Sequence, residues 1–201
     1  VDKVGIDAPF GWPIPFVQAI TAHAEFAPWP GRDKDVVSYR RCLSLRATDE
    51  FVRQRTGRMP LSVSSDHIGR TAMRCALLLD GLCDVDRSGR AGAVAEVYPA
   101  ASLTSWGLRS TGYKGVAGRS ALGVLVDELV ERSPRLKFAG NAQDLCVRSD
   151  DHFDAVIAAV TACAIERGLT SLPPGPEAQQ RAEIEGWIHV PLPGSLTDML
   201  N

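Results

Sequence analysis

Val4-Gly5-Ile6-Asp7-Ala8-Pro9 is the stretch on which the fold class turns. Val4 and Ile6 alternate with small or polar neighbours, and Pro9 cannot donate to a ladder, so the run predicts a short strand ending at Asp7. A carboxylate at that place has two readings. It can cap the turn that follows, or it can face a ligand outside the carboxyl end of a sheet, where open α/β sheets bind. Downstream, Ala91 to Tyr98 is a small, apolar, β-branched run broken by Pro99, and predicts a second strand with Glu96 near its end. Gly186 to Val190 predicts a short third strand.

Helical periods lie between these strands. Pro15 to about His23 predicts a helix, and Thr48 caps a short one from Asp49 within an arginine-rich segment. Ile68, Ala72, Cys75, Ala76 and Leu79 fall at helical spacing, with Ser65 or Asp66 at the start and Gly81 at the end. Leu122, Leu125, Val126, Leu129 and Val130 make an amphipathic helix capped by Ser120. Asp150 to Arg167 is the last long helix, with Asp150 as its cap, Phe153, Ile157, Val160 and Ala164 along one stripe, and Gly168 past its end. Residues 27–35 read as a surface loop, residues 172–182 as a Pro-rich linker. Alternating strands and helices predict an α/β fold, helices packed on a sheet. Two or three strands are few for the helices offered. Val1 also opens almost at once into a strand, so we expect further strands upstream of it.

Composition narrows the classes. The chain has 201 residues, 45% hydrophobic and 23% charged, which argues against disorder and against a coiled coil. No apolar run approaches the ~20 residues that span a bilayer, and no signal peptide is expected. A net charge of -2 disfavours a globally basic nucleic-acid coat protein. The five cysteines, Cys42, Cys75, Cys83, Cys146 and Cys163, form no CxxC pair, which argues against a zinc ribbon or a thioredoxin-like motif. Cys75 and Cys163 sit in apolar helical patterns and read as small hydrophobes. A cytoplasmic location is the economical expectation.

Chemistry is sought among the acids. Glu96 lies inside an apolar run, where a carboxylate is costly unless it is paired, bound to metal or turned to solvent. Asp151 and Asp154 project from one helix face; acids near a helix N-terminus stabilise its macrodipole, but the repulsion within the pair is what a divalent cation would remove. With Asp7 and Glu96 they can form an oxygen cluster for Mg²⁺ or Mn²⁺. The four histidines, His23, His67, His152 and His189, are dispersed and offer no metal site, and no nucleophile elbow, Walker A or dinucleotide fingerprint is present. Arg46 either pairs with Asp49 or holds a phosphate bidentately. Tyr113 and Lys114 either lie on a plain surface loop or touch a nucleic-acid backbone. Trp12, Trp106 and Trp187 read as packing residues.

Six pieces then occur in order: Val4 to Pro9, Arg46-Ala47-Thr48-Asp49, Pro60-Leu61-Ser62-Val63, Glu96-Val97-Tyr98-Pro99 with Gly112-Tyr113-Lys114-Gly115, Asp150 to Ala155, and Glu185-Gly186-Trp187-Ile188. The combination resembles the DUF429 family, predicted nucleases of RNase H-like fold. The resemblance implies one RNase H-like domain over residues 1–201, a mixed sheet flanked by helices that lacks its first strands here, with residues 27–60 and 100–148 as family-specific insertions. Asp151, Asp154 and Ala155 also look like the last helix of RNase H-like Holliday-junction resolvases. On that likeness Asp7, Asp151 and Asp154 are metal ligands, Glu96 joins them in catalysis, and Arg46, Tyr113 and Lys114 contact substrate. The expected activity is divalent-metal-dependent hydrolysis of structured nucleic acid. Two alternatives stay open: nucleotide phosphotransfer of the actin-like or sugar-kinase type, and a non-catalytic binding protein on the same fold.

Overall fold

The structure is a computed structural model that describes residues 2–82 and 85–199; Cys83 lies outside the described residues. The chain is α/β, with ten α-helices and a small two-stranded sheet among those residues. In chain order the elements are β1 Val4–Ile6, α1 Ile14–Ala24, α2 Val36–Ser44, α3 Ala47–Thr56, α4 Gly69–Asp80, β2 Val94–Glu96 and α5 Pro99–Ser105. A 3-10 turn at Val116–Gly118 follows, then α6 Arg119–Arg132, α7 Ala142–Arg148, α8 Asp150–Glu166, α9 Gly175–Glu185 and α10 Ser195–Met199. Among the described residues no helix is long and apolar enough to cross a membrane.

The chain divides into two compact units. The first combines Val1–Asp7, Val97–Leu172 and His189–Asn201; the second combines Ala8–Glu96 and Pro173–Ile188. In the first unit α8 is the axis. Helices α5, α7 and α10 pack on it, and α6 packs on α7. Its Phe153 and Ile157 are wholly buried in a core shared with Leu103, Leu122, Leu125 and Leu129. Each such side chain contributes ~1.5–3 kcal/mol relative to exposure. Polar ties fix the helices around this core: Thr161 Oγ1 donates to Ser102 Oγ at 2.9 Å, and Trp106 Nε1 donates to Ser195 Oγ at 3.0 Å. His189 is buried and bonded to Thr170 through Nδ1.

In the second unit α1 packs against α2 and α9, and α3 against α9. Trp187 is buried and lies 4.8 Å from Phe51 in a tilted ring pair. Trp106 and Trp187 are thus packing residues, as expected.

Several local expectations need correction. Ser149, not Asp150, caps α8: its extended backbone turns the hydroxyl onto the His152 amide, while Asp150 is already inside the helix. Thr48 caps nothing; its hydroxyl accepts from the Ile188 amide, and Asp49 accepts from the Arg46 amide at the start of α3. Helix α4 begins at Gly69, because Asp66 is spent on the Ser62 amide. Gly118, not Ser120, precedes α6. The expected linker at 172–182 contains most of α9, since Pro176 falls in the first turn, where a missing N–H costs nothing. The second strand spans only Val94–Glu96, and the expected third is reduced to a single parallel bridge between Ile188 and Glu96. Cys163 is exposed rather than packed, whereas Cys75 is buried.

Candidate functional site

Gly5 determines where Asp7 goes. A Cβ on Gly5 would stand 2.4 Å from the carbonyl oxygen of Ala158, so only glycine lets β1 lie directly on α8. Val97 donates its amide to the Ile6 carbonyl at 3.0 Å and fixes the end of β1. Asp7 follows at once and is exposed. Ala158 lies one turn beyond Asp154 on α8, so the contact that seats Gly5 sets Asp7 and Asp154 at the same end of the pair.

The third participant comes from the turn Gly112-Tyr113-Lys114-Gly115. Both glycines have positive φ, 68° and 69°. Gly118 lets the turn close, since a Cβ there would stand only 2.3 Å from the Tyr113 carbonyl carbon. Tyr113 is buried edge-on to Phe153, with ring centroids 5.8 Å apart, and its hydroxyl donates to Asp154 Oδ1 at 2.8 Å. Lys114 Nζ meets the other oxygen, Oδ2, at 2.6 Å. The Asp154 side chain is 9% exposed and that of Lys114 57%, so the pair joins a buried carboxylate to a solvent-facing ammonium. Asp150 Oδ1 accepts from the Gly115 amide at 3.4 Å.

Electrostatics tie these groups into one cluster. Partial burial works against the Lys114 charge, but the hydrogen bond and charge of Asp154, with the charges of Asp7 and Asp150, outweigh it and raise the ammonium above its ordinary value. Burial raises the Tyr113 phenol well above its ordinary value, aided by the charge of Asp154 and the bond to it, and then by Asp7 and Tyr98. Asp154, Tyr113 and Lys114 are in direct contact, Asp150 bonds the same turn, and Asp7 acts on the phenol and the ammonium through its charge. Asp151 is exposed one turn before Asp154 on α8.

Arg46 and Glu96 belong to a different constellation, inside the second unit. Arg46 is 1% exposed. Its Nη1 and Nη2 donate to the two oxygens of Glu96 at 2.9 and 2.8 Å, while Nε and Nη2 donate to Asp49 at 3.2 and 2.9 Å. Glu96 also accepts from the Phe10 amide at 2.9 Å. Burial works against the Arg46 charge, yet Glu96 and Asp49 more than offset it and hold the guanidinium protonated. Burial pushes the Glu96 carboxyl up against the pull of Arg46. The pairing of Arg46 with Asp49 is the reading that the geometry favours.

Glu185, to which sequence reasoning assigned no role, completes this network. Its side chain is wholly buried, and Oε1 and Oε2 accept from the Ile14 and Ala47 amides at 2.9 and 2.8 Å. One carboxylate thus satisfies the N-termini of α1 and α3. The only hint was its place before Gly186, whose backbone has φ 88° and whose Cβ would strike Glu96 Oε2.

Mg²⁺ and Mn²⁺ take hard oxygen donors, and Mg²⁺ is commonly held by one or two carboxylates with water and substrate phosphate completing the shell. Among the described residues no group of three His, Cys, Asp or Glu forms a ready-made metal centre. Asp154 offers one such carboxylate, and a positive charge, Lys114 Nζ, already stands against its Oδ2 within the field of Asp7. The donor set fits a hard divalent cation.

No curated protein and no solved structure matches the chain. Residues 1–178 match the family described as a protein of unknown function, DUF429. That match covers most of the chain, and the protein belongs to the DUF429 family.

Proposed function

We propose that the protein is a divalent-metal-dependent hydrolase of phosphodiester bonds in structured nucleic acid, built on an RNase H-like core. The observation that supports this reading is a buried helix carboxylate, Asp154, paired with one solvent-facing positive charge, Lys114, on which the strand-end carboxylate Asp7 also acts. Asp7 and Asp154 would hold Mg²⁺ or Mn²⁺, with Asp151 one turn away to receive a second ion or a bridging water. When bound, the metal supplies an activated water and charge stabilisation for the leaving oxygen.

The remaining work falls to the protein's own groups. Tyr113 donates to Asp154 Oδ1 and fixes the rotamer of the carboxylate, leaving Oδ2 as the free ligand position once Lys114 departs. Lys114 carries a flexible ammonium on an exposed turn and suits a phosphate oxygen of the substrate backbone. Glu96 and Arg46 stand outside this reading, because their polar atoms are engaged with each other, Asp49 and backbone groups.

Mn²⁺ titration calorimetry and cleavage of labelled duplex and branched oligonucleotides test the proposal. Wild type should bind Mn²⁺ and cut, and Asp154→Asn should lose both while keeping its cooperative unfolding transition. Full Mn²⁺-dependent cleavage by Asp154→Asn removes the assignment. Absence of Mn²⁺ binding by wild type favours the non-catalytic alternative.

A further inference from the structure

Lys114 is placed where a charge of its kind serves a purpose beyond packing. Its Nζ lies 2.6 Å from Asp154 Oδ2, on the oxygen that Tyr113 leaves open. Asp150, in the first turn of α8, accepts from the amide of Gly115, the residue after Lys114, at 3.4 Å. The ammonium is therefore in the place that a metal coordinated by Asp154 would need. Two such cations cannot share that oxygen, because like charges that close repel strongly at the effective dielectric of a protein surface.

The tether is built to let go. The Lys114 side chain is more than half exposed, whereas its carboxylate partner is buried, so the lysine loses little by returning to water. Tyr113 and Gly118 anchor the turn beneath it, and a Cβ on Gly115 would meet nothing within 4 Å. The side chain can leave while the backbone stays.

We infer that Lys114 is the resident counter-ion of this site, displaced from Asp154 by the divalent cation and thereby released to take a substrate phosphate. The inference rests on the metal-dependent reading above and adds its regulation. Without a divalent ion the lysine neutralises the carboxylates and closes the ligand position. Its release links metal binding to polyanion binding, since whatever favours the freed lysine also favours the metal, and reciprocally.

Two measurements test it without an activity readout. In calorimetry of the full chain with Mn²⁺, Lys114→Met should bind about tenfold more tightly than wild type, equivalent to ~1.4 kcal/mol. Arg109→Met is the charge control: Arg109 is exposed and bonds the Thr111 carbonyl nearby in the first unit, so its loss changes net charge equally without opening Asp154. It should leave Mn²⁺ affinity within about twofold, as expected for a screened surface charge. In the second measurement an amine-acylating reagent is applied to wild type and Lys114 is read by peptide mass spectrometry. Saturating Mn²⁺ should raise its labelling rate several-fold.

Wild type that binds Mn²⁺ while Lys114→Met binds equally or more weakly overturns the counter-ion role alone. Labelling of Lys114 that Mn²⁺ leaves unchanged does the same. Equal tightening in Arg109→Met and Lys114→Met also overturns it, because the effect is then one of net charge. If neither wild type nor Lys114→Met binds Mn²⁺, the metal-dependent reading falls and takes this inference with it.

Discussion

Each unit contains a cation held by carboxylates, and the two differ in what surrounds them. Arg46 is buried with every donor directed at Glu96, Asp49 or a backbone carbonyl, and its partners are equally buried. Lys114 reaches a single carboxylate from an exposed turn. A guanidinium fork suits permanent, bidentate pairing, while a flexible ammonium makes a point contact that is easily exchanged. The same charges thus serve architecture in one unit and suit a reversible site in the other. Burial, together with the donor geometry that each residue type brings, separates the roles.

The largest effect is expected from breaking the architectural cluster. Arg46→Met strands Asp49 and Glu96 without their cation, and removal of one partner from a buried pair costs about 3–5 kcal/mol. Urea denaturation followed by circular dichroism should show that loss. A loss below ~1 kcal/mol, the scale of an exposed ion pair, would place Arg46 in the same class as Lys114 and dissolve the contrast.

A middle-sized effect tests whether Asp154 joins the buried core to the exposed charge. The Tyr113 phenol is raised above its ordinary value near 10, by burial first and then by Asp154. A group whose folded pKa exceeds its unfolded one stabilises fully below the unfolded value, and that contribution disappears as pH rises through the folded value. Stability from Tyr113 should therefore persist up to about pH 10 and decline above it. In Tyr113→Phe that alkaline decline should diminish, with ~1 kcal/mol lost at neutral pH for the missing hydrogen bond. Thermal melts between pH 8 and 11, read against wild type, supply the measurement, and identical alkaline profiles would contradict the burial of the phenol.

The outline of the fold was legible where periodicity was strong. The apolar stripe through Phe153, Ile157, Val160 and Ala164 set α8, and the Val4 to Pro9 alternation set β1. Asp7 and Asp154 were legible because a strand end and a helix face both restrict where a short carboxylate points. Glu96 was legible as an acid within an apolar run, but neither its burial nor its partner was, since Arg46 is fifty positions away and only the tertiary fold supplies the pairing. Glu185 and α9 were obscured by prolines that read as linker although Pro176 sits inside a first turn. The position of Lys114 depends on the glycines at 112, 115 and 118, whose backbone conformations carry no side-chain pattern to read.

The smallest expected effect makes the sharpest contrast. Lys114→Met applies nearly the same chemical change as Arg46→Met, a cation replaced by an unbranched apolar chain, yet it removes an ion pair whose ammonium is mostly solvated. Exposed pairs contribute about 0.2–1 kcal/mol, and Asp154 retains its Tyr113 hydrogen bond when the lysine is gone. Some of even that small loss is offset, because the methionine stem still covers the Tyr113 ring, over which Lys114 Nζ now stands 5.8 Å from the centroid. Urea midpoints for Lys114→Met should therefore sit close to wild type under conditions in which Arg46→Met is largely unfolded. A loss of ~3 kcal/mol or more at Lys114, the range of a broken buried pair, would mean that its ammonium is part of the framework and is not free to exchange.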